Sequence, residues 1–150
     1  MAPTTSFLLT ILLLSLSNVA MAAYNILDFG AKPDGRTDSA KAFLGAWAKA
    51  CGASNPATIN VPAGRFFLSQ ATFQGPCNNA GLRVVIDGTI VAPAAASVFV
   101  KWMLFKNVEG LSIYGGTLDG RGQALWACKL AGRRCPVGAT VSACIVFYHT

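Results

Sequence analysis

Six acidic residues, Asp28, Asp34, Asp38, Asp87, Glu109 and Asp119, are all that the 150 residues offer for carboxylate chemistry. Two carboxyl groups set on either side of one bond can work as general acid and general base. Asp87 and Asp119 are the one pair with matching surroundings, since each follows an apolar strand-like run and precedes glycine. The structural reading is the stronger one for every member of the set. Asp34, Asp87 and Asp119 stand in Asp-Gly settings, where the short carboxylate side chain bonds its own backbone in a turn. Asp38 lies where a helix begins, and an anion there is favoured by the helix dipole. Asp28 sits beside the first strand signal and Glu109 in the turn Asn107-Val108-Glu109-Gly110. On this reading the catalytic set is empty, and no substrate-binding residue is singled out.

Other chemistries find less. His149 is the single histidine and no C-x-x-C occurs, so no metal site and no cofactor are expected. Gly115-Gly116 with Gly120-Arg121-Gly122 is not a phosphate loop, because it lacks the Lys-Ser/Thr ending and a helix signal after it. No N-x-[ST] sequon is present. The formal net charge of +6 suits a polyanionic partner: nucleic acid, an anionic lipid surface or an acidic polysaccharide. A solvated basic surface accounts for it equally well. The basic residues are scattered, with only Arg133 and Arg134 adjacent, which argues against a nucleic-acid stripe.

These residues must be positioned by elements, and the elements start after a leader. Phe7 to Leu16 is an apolar run of signal-peptide length, and Ala20-Met21-Ala22 is a small-x-small cleavage site. The run is too short to span a bilayer, which takes about 20 apolar residues. No Lys or Arg precedes it, which departs from the usual pattern. Residues 1–22 are therefore read as a secretory signal, and the domain as 23–150, with no membrane association after cleavage. A secretory route favours disulfides for Cys51, Cys77, Cys128, Cys135 and Cys144, and an odd number leaves one over.

Tyr24, Ile26, Leu27 and Phe29 make a short strand signal that breaks at Gly30, and Lys32-Pro33-Asp34-Gly35 reads as a turn. Ala40, Phe43, Leu44, Trp47, Ala48 and Cys51 fall on one face of a helix. Thr37 or Asp38 is its expected N-cap, and Gly52 its expected left-handed C′ residue. The period then changes to short β-branched and aromatic runs: Thr58–Val61, Arg65–Leu68, Ala71–Phe73, Leu82–Ile86, Thr89–Ala92, Trp102–Phe105, Leu111–Tyr114 and Thr117–Leu118. Ile86-Asp87-Gly88-Thr89-Ile90 is echoed by Tyr114-Gly115-Gly116-Thr117-Leu118, and Asn60 to Gly64 stands about 25 residues earlier. Periodicity alone leaves both a solenoid and a β-sandwich open. In a solenoid the helix would cover the open N-terminal end, with Trp47 against the core and Phe43 and Leu44 beside it. A Cys51–Cys77 bridge would tie that cap to the first coil, Cys128–Cys135 would close a local loop, and Cys144 would be left over.

Five segments carry a resemblance. Asn25-Ile26-Leu27-Asp28-Phe29-Gly30-Ala31-Lys32-Pro33-Asp34-Gly35-Arg36-Thr37-Asp38, Val61-Pro62-Ala63-Gly64-Arg65-Phe66, Gly75-Pro76-Cys77, Asp87-Gly88-Thr89-Ile90-Val91-Ala92-Pro93, and Gly115-Gly116-Thr117-Leu118-Asp119-Gly120-Arg121-Gly122 with Trp126 resemble, in order, segments of the plant polygalacturonases, glycoside hydrolase family 28. The resemblance implies an all-β fold, a right-handed parallel β-helix of the pectin-lyase-like kind with an N-terminal capping α-helix. It implies a secreted protein of the plant cell wall acting on polygalacturonan, the acidic backbone of pectin. It also implies inverting hydrolysis of α-1,4 links, with carboxyl groups about 6.5–9.5 Å apart to admit a water.

The chain departs from that family where the chemistry lies. The family's aspartates belong to N-T-D, D-D and G-H-G motifs and its substrate grip to R-I-K, and none of the four occurs. After about Thr140 the resemblance fades. These absences lead to the expectation of an incomplete β-helix, inactive alone, whose alternative is a non-catalytic pectate-binding stub. The run Ala143–Tyr148 is uncharged and β-prone, so an exposed end is expected to make the chain insoluble or oligomeric. Aromatic side chains are expected to fill the core, with Trp126 the exception that could serve as a sugar platform.

Overall fold

The computed structural model describes residues 21–93, 102–132 and 145–148. The expected leader lies outside these residues apart from Met21 and Ala22. The first strand, β1 (Ala22–Asn25), is shorter than the apolar run suggests, and Ala22 already pairs with Ala57. Residues Ile26–Phe29 form a 3-10 turn instead of continuing the strand. The cause is local: the Asn25 side chain accepts a hydrogen bond from the Leu27 amide at 3.0 Å, which turns the backbone. Gly30 closes the turn at φ 91°, in the left-handed region that glycine enters without strain. Asp34 then accepts from the amides of Arg36 and Thr37, both at 2.8 Å, and from the Thr37 hydroxyl at 2.6 Å. The segment read as a plain turn thus opens directly into β2 (Asp34–Asp38).

Helix α1 (Ala40–Gly52) follows. Its cap residue is Ser39, not Thr37 or Asp38, although the Asp38 carboxylate does accept from the Ala40 amide at 3.0 Å. The buried face is Ala42, Phe43, Ala46, Trp47, Ala50 and Cys51, so the stripe is rotated from the expected one and Ala48 is exposed. Gly52 is the last helical residue and Ala53 ends the helix in extended conformation, without a left-handed C′ glycine. The terminal carbonyls find partners elsewhere. Asn79 Nδ2 donates to Ala50 and Ala53, Asn78 Nδ2 to Gly52, and the Asn78 amide to Cys51. With these satisfied from the next coil, no glycine motif is required.

Three strands make the next level: β3 (Ala57–Val61), β4 (Arg65–Phe67) and β5 (Ala71–Gln74). Above them lie β6 (Leu82–Val91) and β7 (Met103–Lys106), then β8 (Ser112–Asp119), helix α2 (Gln123–Leu130) and β9 (Ile145–Tyr148). The two predicted strands on either side of Asp87-Gly88 are one strand, β6, whose register against β8 shifts between Ile86 and Thr89. Every pairing is parallel. One sheet has the order β1-β3-β6-β4-β2 with β8 also on β6, and the other has the order β5-β7-β9. Parallel pairing of consecutive levels is a coil stack, a parallel β-helix, and it settles the choice against a sandwich. Ala57 beside Leu82 is the repeat of about 25 residues.

Alternation within each strand sends every second side chain inward. Among the described residues three ladders result, each in register from coil to coil: Ile59, Val84 and Ile113; Phe66, Ile90 and Leu118; Phe73, Phe105 and the exposed Phe147. The phenylalanine rings stack at 4.7 Å and 5.3 Å between centroids, close to the strand spacing itself. Glycine permits the bends between strands to stack as closely. A Cβ on Gly88 would run into the carbonyls of Pro62 and Gly64 in the coil below, so the Asp-Gly and Gly-Gly echo marks where adjacent backbones touch. Among the described residues no helix is long and apolar enough to cross a membrane.

Trp47 closes the bottom of the stack. It is 4% exposed, lies 5.1 Å from Phe73 and 5.5 Å from Phe105, and its Nε1 donates to the Gln74 carbonyl at 3.0 Å. A disulfide joins Cys51 to Cys77 and fixes the end of α1 to the coil above. By chain-entropy reasoning that 26-residue separation contributes roughly 3–4 kcal/mol.

Two outcomes follow from this arrangement. Trp47→Ala should lower the unfolding free energy of residues 23–150 by about 3–5 kcal/mol in denaturant titration, because it removes a buried ring and leaves a cavity; an unchanged midpoint would show that α1 is not a buried cap. Asp34 is held down to about 2, first by the Thr37 hydroxyl and then by the Arg36 and Thr37 amides. A carboxyl lowered on folding stabilises the fold above its unfolded value near 3.8 and loses that contribution as pH falls through about 2. Asp34→Asn should therefore flatten the fall in melting temperature between pH 4 and pH 2; an identical slope in the variant would contradict it.

Candidate functional site

The acidic residues come first, because a hydrolase of this architecture would need a pair of them. Asp34 is committed to its turn. Asp38 accepts from the amides of Ala40 and Ser69, at 3.0 Å and 3.1 Å. Burial pulls its carboxyl upward, but the bonds from Ser69 and Ala40 outweigh that and leave it lowered. Asp119 is lowered chiefly by the Arg121 amide at 3.0 Å, with the Arg65 guanidinium adding a hydrogen bond and a charge against slight burial. Asp28, Asp87 and Glu109 are exposed. All three lowered groups are thus held as carboxylates by donors that also fix a turn or a helix start, which is the structural role expected of them.

Asp87 and Asp119 do not occupy equivalent positions, contrary to what their sequence surroundings suggest. Asp87 lies in the bend of β6 between Ile86 and Thr89, whereas Asp119 pairs with Val91 at the end of that strand. Along β6 the two positions lie four residues apart, across its bend. Asp119 is engaged elsewhere: its Oδ2 accepts from the Arg65 side chain at 3.0 Å, a bridge from β4 across β6 to β8. Nothing in the sequence links Arg65 to Asp119, because the contact depends on coil register. Among the described residues no three of His, Cys, Asp and Glu gather as a metal site.

The cysteines fall partly within view. Cys51 and Cys77 are joined as expected. Cys128 is disulfide-bonded, while Cys135 and Cys144 lie outside the described residues. Cys77 also borders an open groove of about 520 Å³ lined by Asn78, Asn79, Asn107 and Glu109. Its two asparagines at 78 and 79 are spent on the carbonyls of α1, so the groove is the outer side of the cap anchor.

An exposed aromatic residue with a cation beside it lies after β8. Trp126 on α2 is 51% exposed, while Trp47 and Trp102 are each 4% exposed. Trp102 is held inside by a 2.8 Å bond from its Nε1 to the Leu68 carbonyl. The Lys129 ammonium stands 5.8 Å from the centre of the Trp126 ring. Phe66, Phe73 and Phe105 are buried in the ladders and Trp126 is exposed, but Tyr114, Tyr148 and the ladder residue Phe147 are exposed as well.

Comparison with known proteins places this arrangement. Residues 51–142 match the family described as Glycosyl hydrolases family 28. The chain is 50% identical over 141 residues to a polygalacturonase of Prunus persica, covering 89% of this chain and 36% of that protein. It is 38% identical over 109 residues to an exopolygalacturonase of Platanus acerifolia, covering 71% and 28%. A solved exopolygalacturonase from Thermotoga maritima, described as hyperthermoactive, superposes with a TM-score of 0.53 at 25% identity, over 65% of this chain and 24% of that one. The chain thus spans about a third of the length of such relatives. Parallel coils, an N-terminal helical cap and half-identity across the coils lead to one assignment: the chain belongs to glycosyl hydrolases family 28.

Proposed function

We propose that this chain forms the first coils of a pectin-degrading hydrolase that cleaves α-1,4-galacturonosyl links in polygalacturonan by single-step inversion. These coils are scaffold, and the acid and base come from motifs that the 150 residues do not contain. The observation that carries the reading is the 50% identity to the Prunus persica polygalacturonase across the coil ladders and the cap. The disposition of the carboxylates supports the scaffold role, since Asp34, Asp38 and Asp119 are tied to backbone amides and Asp87 stands at a different position along the paired strands from Asp119. The product is a secreted protein of the cell wall, directed there by residues 1–22, and its partner is the polygalacturonan chain. A net charge of +6 suits that polyanion. A non-catalytic pectate-binding role is the second reading, favoured by the exposed Trp126 and Lys129.

Residues 23–119 grafted in place of the matching coils of the Prunus persica relative should give a chimera that releases reducing ends from polygalacturonic acid, while residues 23–150 alone should release none. A folded but inactive chimera would overturn the scaffold assignment. Turnover by 23–150 that disappears in Asp87→Asn or Asp119→Asn would show chemistry in the coils themselves.

A further inference from the structure

We propose that the surface of α2 around Trp126 and Lys129 is a uronate-binding patch that holds an acidic galacto-configured glycan. The proposal rests on the pectin reading above and names where in this chain the polymer is held. Trp126 is half exposed on α2, whereas the other two tryptophans are buried and hydrogen-bonded. A galacto-configured pyranose presents the C–H bonds of C3, C4 and C5 on one face, an apolar patch suited to an indole. A uronate adds a carboxylate on C5 at the edge of that patch. Lys129, 5.8 Å from the ring centre, lies within reach of such an edge, and its flexible stem lets the ammonium swing from the indole to the carboxylate.

The local charge agrees. Arg121 immediately precedes Gly122, which sits against the edge of the Trp126 ring. The one nearby carboxylate, Asp119, is answered by the Arg65 guanidinium at 3.0 Å and lies close to the Arg121 charge as well. No acidic residue occurs after Asp119 in the sequence, while Arg121 and Lys129 both lie beyond it. An anionic occupant therefore meets net positive charge, and an aromatic face distinguishes a sugar from other anions. Neither residue has a part in the acid/base chemistry proposed for the family's motifs, so the patch would serve retention and alignment of the polymer, not bond cleavage.

The test is calorimetric titration of residues 23–150, held in solution on a tryptophan-free carrier domain, with trigalacturonate, with galactotriose as the neutral control and inorganic polyphosphate as the non-sugar anion. Trigalacturonate should bind and should quench the tryptophan emission that Trp126 dominates at long wavelength. Galactotriose should bind at least about fivefold more weakly, the scale of one exposed charge contact. Trp126→Ala should weaken trigalacturonate at least about tenfold, with Trp126→Phe retaining most of the affinity. Lys129→Gln should weaken it about threefold to fivefold and reduce its dependence on salt. Both side chains are exposed, so an unchanged melting temperature shows that the variants fold. Absence of trigalacturonate binding, unchanged binding in Trp126→Ala, or polyphosphate binding as tightly as trigalacturonate would each overturn the patch. An active chimera beside a failed titration removes only the patch; an inactive chimera beside successful titration removes only the hydrolase reading.

Discussion

The structure depends on in-register stacking of parallel coils, in which each inward side chain lies on its counterpart one strand away. Strands about 4.8 Å apart set each inward side chain on the one in register with it, so apolar must lie on apolar from coil to coil. Phe73, Phe105 and Phe147 meet that demand, with centroid spacings of 4.7 Å and 5.3 Å. The aliphatic ladder through Ile59 and the mixed ladder through Phe66 meet it on the other two faces. A ladder has ends, and the lower end needs a cover that is apolar on one side and soluble on the other. Helix α1 supplies it, with Trp47 spanning two rungs and Lys41 and Lys49 facing solvent. The disulfide and the asparagine bonds to the helix carbonyls then fix the cover in place.

Stacking also decides where chemistry can lie. A side chain at the end of one strand and another in the bend of its neighbour are separated by the strand length between them, whatever their sequence surroundings. That is why Asp87 and Asp119 stand at different positions along the paired strands, and why Arg65 and Asp119, far apart in sequence, meet. In this member of glycosyl hydrolases family 28, Asp34, Asp38 and Asp119 are committed to turns and a helix start.

Much of the fold was legible because alternation and glycine punctuation are local. The runs Thr58–Val61, Ala71–Phe73 and Trp102–Phe105 each fall on a strand, displaced by a residue at most, and the helix begins at Ala40 as its apolar spacing predicts. Cys51 and Cys77 were pairable once the cap was placed. What escaped was decided by single side chains or by distant register. Asn25 turns the chain where the apolar run promises a strand. Asn78 and Asn79 end α1 in place of a glycine motif, and only the next coil brings them there. The join of two strand signals into β6 depends on a bend that stays paired on both sides of Asp87-Gly88. Of the candidate surface, Trp126 was visible as an aromatic residue beyond the last repeat, but its partner Lys129 and the neutralising Arg65–Asp119 bridge needed three dimensions.

The coil stack holds α1 as a structural part, and hydrogen exchange of residues 23–150 tests this most directly. The amides of α1 should exchange in the same slow, cooperative unit as those of β3 and β6, with β8, which pairs on one side only among the described residues, exchanging faster. Fast exchange throughout α1, at the rate of an unsupported helix, with β3 and β6 still protected, would contradict it.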